Sequence, residues 1–226
     1  MTQVDFSMIT DDIFKYALLG FLDDDIISIL DGNLTSYTLN MYIKNERISR
    51  KLYNYSEYLK LSAHDKMYVK KMDIFYNQQI DKYILPNGLT HLIFGCLEDR
   101  LINKDVLPNS LTHLTFGDDY NQPFDKDVLP NSITHLTFGD YYNQPIVKDV
   151  LPNSLTHLIF GCDYNQPIGK DVFPDSLTHL TLGYDYNQPT GKDDLPDSLT
   201  YLTFGDNYDH PFDKDDLPDS LTHLTF

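Results

Sequence analysis

Leu107-Pro108-Asn109-Ser110-Leu111-Thr112-His113-Leu114-Thr115-Phe116-Gly117-Asp118-Asp119-Tyr120-Asn121-Gln122-Pro123 is the stretch that decides the fold, because it returns along the chain. Pro86, Pro108, Pro130, Pro152, Pro174, Pro196 and Pro218 follow one another at intervals of 22 residues without an insertion. Repetition at a period of roughly 20–50 residues marks a solenoid, a propeller or an array. Within each unit Leu111, Leu114 and Phe116 give an L-x-x-L-x-F pattern whose last three residues alternate, as in a short strand with one buried face. A constant interval brings each strand back in the same direction, so the strands form a parallel sheet along one side of a coil. Two prolines per unit, such as Pro123 and Pro130, interrupt the backbone ladder and argue against a helix on the return side.

The remaining fixed positions suit the same coil. Gly95, Gly117, Gly139, Gly161, Gly183 and Gly205 follow the strand, where a sharp turn would favour positive φ. Tyr120, Tyr142, Tyr164, Tyr186 and Tyr208 fill the core behind it, and Asn121, Asn143, Asn165 and Asn187 bond the backbone of the neighbouring coil. The Lys-Asp pairs beginning at Lys104 stack as a solvated ladder of alternating charge. Cys96 and Cys162 sit too far apart along the stack for a disulfide and are expected as free thiols.

Moving outward, an earlier partial copy keeps phase through Tyr76-Asn77-Gln78-Gln79-Ile80, with Met67, Lys70 and Met72 at its strand positions. Residues 64–84 are therefore expected as a degenerate cap repeat and residues 85–226 as seven repeats, the last truncated. The final strand, Leu221 to Phe226, has no cap after it. Either it self-associates with a second copy or partner, or the chain is an incomplete gene product. Residues 1–63 instead show helical spacing, with Thr10 as an N-cap and Phe14, Ala17, Leu18 and Phe21 on one face. Lys44 to Lys71 is locally basic and reads as a helical connector.

The net charge of −17, from 34 acidic and 17 basic residues, is confined mostly to the repeats. Such a surface repels phosphate backbones and anionic lipid heads, which excludes nucleic acid and membrane as main partners. No basic leader precedes an apolar run, so a cytoplasmic protein is expected, in the host cell's cytoplasm if the chain is viral.

Chemistry has few places to reside. His91, His113, His135, His157, His179 and His223 form a column interrupted by Tyr201, with Thr115, Thr137, Thr181 and Thr203 beside it on the outward face. A metal site needs converging ligands and a supporting shell, and no carboxylate or thiol recurs on those strands. The serines at Ser110 and equivalent positions recur in six of the seven repeats, whereas catalysis needs one asymmetric site. No enzyme, cofactor or metal is therefore expected; the face reads as a surface for an unknown protein substrate, and acid is expected to alter it.

The units Leu-Pro-Asn-Ser-Leu-Thr-His-Leu-Thr-Phe-Gly-x-x-Tyr-Asn-Gln-Pro resemble FNIP repeats, relatives of leucine-rich repeats found in amoebal and giant-virus proteins. The resemblance implies a leucine-rich-repeat-like parallel β-solenoid with little helix. Ile9, Ile13, Leu19, the run Phe21-Leu22-Asp23-Asp24-Asp25-Ile26, and Leu30 resemble an F-box, although Ile9-Thr10 stands where the usual Leu-Pro opens that motif. A small α-helical F-box-like domain implies docking on a Skp-type adaptor of a cullin ubiquitin ligase, with Ile9, Ile13, Leu19, Leu22, Ile26 and Leu30 in the contact. The alternative is a repeat scaffold without a ligase link, its helices serving only as an N-terminal cap.

Overall fold

A computed structural model describes residues 44, 45, 47–75, 80, 84–95, 101–213 and 215–226. The helical readings at 1–43, including all six F-box-like apolar residues, lie outside the described residues, as does Cys96. Among the described residues nine strands form one parallel sheet in sequence order. They are β1 (Leu52–Asn54), β2 (Lys71–Ile74), β3 (His91–Phe94), β4 (His113–Thr115), β5 (His135–Thr137), β6 (His157–Ile159), β7 (His179–Thr181), β8 (Tyr201–Thr203) and β9 (His223–Thr225). Residues 44, 45 and 47–50 are helical ahead of β1, and two short helices, α1 (Tyr55–Lys60) and α2 (Ala63–Lys66), lie between β1 and β2.

Each periodic rung is built by the same local chemistry. The Pro108 carbonyl accepts from the Leu111 N–H at 3.0 Å, closing the Pro-Asn-Ser turn that aims the chain into β4. Leu114 then points inward and is 1% exposed, while His113 and Thr115 on either side are half-buried on the outer face. Register is strict: His113 pairs with His135, Leu114 with Leu136 and Thr115 with Thr137. A one-residue slip would turn every leucine to solvent. The return runs through turns and bends without a helix, as the paired prolines require.

The interior is a set of continuous side-chain columns. Phe116, Phe138 and Phe160 stack at 5.4–5.5 Å between ring centres. Tyr120, Tyr142, Tyr164 and Tyr186 stack at 6.2 Å, and Tyr142 also lies 3.9 Å from Phe138. Burial of the Tyr142 and Tyr164 phenols raises their proton affinities well above the usual tyrosine range. The asparagine ladder is two-pronged: the Asn121 Oδ1 accepts from the Asn143 N–H at 2.9 Å and from the Gln144 amide at 3.0 Å. Asn143 and Asn165 repeat the pattern one and two coils further on.

Three sequence expectations need correction. The post-strand glycines do not adopt positive φ. They are required by close approach, since a Cβ on Gly139 would overlap the Gly117 carbonyl carbon and oxygen of the preceding coil. Positive φ falls instead on Asp105, Asp127, Asp149, Asp171 and Asp193, at 59–68°. Asp127, Asp149, Asp171 and Asp193 accept the lysine ladder from one coil earlier, as in Lys126 to Asp149 at 3.2 Å.

The second correction concerns the cap repeat. Met72 pairs with Leu92 and Ile74 with Phe94, so this rung is separated from the next by 20 residues rather than 22. Val69, Met72 and Ile74, each 0% exposed, occupy the core positions that Met67, Lys70 and Met72 were expected to hold. The third is that the sheet begins earlier than the helical segment was expected to end. β1 pairs with β2 through Tyr53 and Met72, inside the stretch read as helix and basic connector. Its neighbour α1 starts at a capping box, with Asn54 accepting from the Glu57 N–H at 2.9 Å. Ile48, Tyr53 and Tyr58 are buried in the same apolar core as the first rungs.

Candidate protein-binding face

The outer face of the sheet carries two columns, one on each side of the buried leucines. The first runs Leu52, Lys71, His91, His113, His135, His157, His179, Tyr201, His223. The second runs Asn54, Asp73, Ile93, Thr115, Thr137, Ile159, Thr181, Thr203, Thr225 across the same pairings. All the face residues named from the sequence thus fall on one continuous surface. Sequence reasoning omitted its leading end, where Lys71 and Asp73 stand, because the 20-residue interval breaks the phase.

The imidazoles stack nearly parallel, with ring centres 4.1–4.2 Å apart and planes 9–12° apart. Tyr201 continues the stack at 4.3 Å from His179 and 4.1 Å from His223. Burial lowers the proton affinity of His91, His135 and His157, and neighbouring positive charge adds to it. In His113 burial leads, followed by His91, His135, His157 and Lys71, and the value falls to about 4. At neutral pH these four imidazoles are uncharged.

The hydrogen-bond network assigns the proton to one ring nitrogen. The Thr112 hydroxyl donates to the Thr90 carbonyl at 3.0 Å and lies 2.9 Å from His113 Nδ1. A hydroxyl has one hydrogen, and it is committed to the carbonyl. His113 Nδ1 must therefore be the donor, and Nε2 is left with its lone pair. The same pairs recur at Thr90 and His91, Thr134 and His135, Thr156 and His157, and Thr178 and His179. This assignment comes from the network rather than from observed hydrogens.

The serines are equally committed. Ser110 donates to the Leu89 carbonyl of the preceding coil at 2.6 Å, and Ser132, Ser154, Ser176, Ser198 and Ser220 do likewise. They lock one coil to the next. Among the described residues no group of three or more His, Cys, Asp or Glu side chains is placed to hold a metal ion. No helix among the described residues is long and apolar enough to cross a membrane.

The sequence matches the FNIP Repeat family over residues 76–119, 99–141, 120–163, 164–190 and 186–226, together about two thirds of the chain. The chain belongs to the FNIP repeat family. A solved structure described as "CroV588 a novel circular LRR protein structure" is 50% identical, with a TM-score of 0.67. The FNIP chain matches it over 70% of its own length but spans only 24% of that protein. No curated protein matches. The FNIP stack is thus a leucine-rich-repeat-like parallel β-solenoid, an architecture typical of binding scaffolds rather than of enzymes.

Proposed function

We propose that this protein is a non-catalytic recognition subunit, holding a protein substrate on the sheet face and docking through the F-box-like run Ile9 to Leu30 on a Skp-type adaptor of a cullin ubiquitin ligase in the cytoplasm. The supporting observation for the first half is the unbroken face of two polar columns on a rigid parallel sheet, a form that repeat solenoids use to grip partners. For the second half the support is the F-box-like run Ile9 to Leu30.

Mixing the purified chain with a Skp-type adaptor and following both by size-exclusion chromatography tests the proposal. Co-elution is expected, lost on Leu19→Asp with Leu22→Asp and retained on Thr137→Arg. An intact protein that leaves the adaptor in its own peak sinks the ligase role and leaves a binding scaffold.

A further inference from the structure

The imidazole column has a polarity that follows from its tautomer. Each Nδ1–H in His91, His113, His135, His157 and His179 is turned inward to a threonine hydroxyl. Each of these Nε2 atoms has no protein partner among the described residues, yet none is among the buried unpartnered atoms, so the lone pairs meet solvent. A neutral imidazole in this state accepts a hydrogen bond through Nε2 and cannot donate one. The middle of the face is therefore a row of acceptors, one per rung.

Charge at its margins has the matching sign. Asp118, Asp140 and Asp206 are exposed just beyond the ends of β4, β5 and β8, and Asp175, Asp197 and Asp219 are exposed before β7, β8 and β9. The field at this rim is visible in Cys162, whose thiol is pushed up by its bond to Asp140, then by burial and by the charges of Asp140, Asp163 and Asp185. Lys104, Lys126, Lys148 and Lys170, by contrast, are paired with aspartates of the next coil. From β3 to β9 the strands bear no lysine or arginine; Lys71 on β2 is the cation at the column's leading end.

We infer that the sheet face takes an extended, cationic segment of a protein partner, whose guanidinium, ammonium and amide N–H groups donate to the His113, His135 and His157 Nε2 atoms between two acidic rims. This rests on the face being the protein-binding surface and adds the chemistry of what it binds. Five rungs at roughly 4.8 Å span about 20 Å, the length of about six extended residues at ~3.3 Å each. Arginine suits the site best, because its five donors reach several acceptors at once.

The test uses the full chain and two fluorescent dodecapeptides, one alternating Arg and Ser, the other Glu and Ser, in anisotropy titrations at neutral pH and low salt. The arginine peptide is expected to bind at least tenfold more tightly, and to weaken as salt is added. A general attraction of polycations to an acidic protein is separated by a variant of unchanged charge. His113→Leu with His135→Leu and His157→Leu should lose tenfold or more in affinity, while the corresponding three Gln substitutions, which keep an acceptor, should stay within about threefold of the parent. Circular dichroism and melting establish that both variants fold. Equal binding by the folded Leu variant, or preference for the glutamate peptide, overturns the inference. If the parent binds neither peptide but Thr137→Arg abolishes capture of a partner protein, this chemistry fails and the binding face stands; if that substitution changes nothing either, both fail.

Discussion

The two leading rungs and the seven that follow solve one packing problem under different rules. From β3 onward every interval is 22 residues and each interior position holds nearly the same side chain. At the leading end the interval contracts, α1 and α2 replace the turn-rich return, and Val69, Met72 and Ile74 stand where Leu and Phe recur later. The sheet nevertheless runs through both without a break. What a strand must supply is therefore an inward residue between two outward ones, set in register. Repeat length is a property of the return, and it is free to change where helices bridge the gap.

The sharpest way to break the comparison is to remove a column member from the periodic part. Tyr142→Ala should cost about 3–5 kcal/mol, since the ring is 1% exposed and packed on Phe138, Tyr120 and Tyr164; urea unfolding would read this as a lower midpoint. Glycine separates the two regions next. Gly139→Ala drives a methyl into the backbone of the neighbouring coil and should cost about 3 kcal/mol. Gly88→Ala at the turn into β3 meets the flexible end of Lys70 at 2.8 Å and the Met67 carbonyl at an ordinary contact distance of 3.4 Å, and should stay within about 0.5 kcal/mol. Comparable losses in these two glycine variants would refute the distinction between backbone and side-chain crowding.

Asn143→Ala removes an acceptor shared by the Asn165 N–H and the Gln166 amide, and should cost about 1–3 kcal/mol by the same urea assay.

Acid probes the outer column. Because folding lowers the proton affinity of His113 from 6.5 to about 4, the unfolded chain takes up the proton first as pH falls. Stability is therefore lost progressively between those values. The melting temperature should drop across that window, and less steeply in His113→Gln. Asp193, held down chiefly by its bond to Lys170, contributes its own loss only at more acid pH.

The smallest effect sharpens the junction itself. Lys71 is among the groups that hold His91 and His113 uncharged, so Lys71→Met should raise both titration midpoints slightly in an NMR pH series. Unmoved midpoints would show that the leading rung is electrostatically separate from the column.

Much of this architecture can be read in the proline spacing and the L-x-x-L-x-F unit, because identical units at constant spacing leave few ways to close a coil. The buried tyrosines and the asparagine ladder follow from the same regularity. Two features resist such reading. Val69, Met72 and Ile74 escape because a phase carried back by 22 residues lands two positions early on Met67, Lys70 and Met72. The glycines mislead because a sequence shows that a side chain is absent, while the reason for it, the backbone of another coil, is 22 residues away. On the face, the histidine column is legible but its tautomer is not. That depends on Thr112 and its equivalents reaching back to a carbonyl, a contact which exists only once the coils are stacked.

The sameness of the rungs has one more consequence. A ligand that reads only an imidazole and a hydroxyl meets an equivalent environment each time it shifts by one coil. Several such placements add an entropy of mixing to binding, on the order of 1 kcal/mol for a handful of them at RT of about 0.6 kcal/mol, but they also let the ligand slide. What pins it must be the punctuation: Ile93 and Ile159 in place of threonine, and Tyr201 in place of histidine. Affinity can be spread along the ladder, but address is written only where the ladder is irregular.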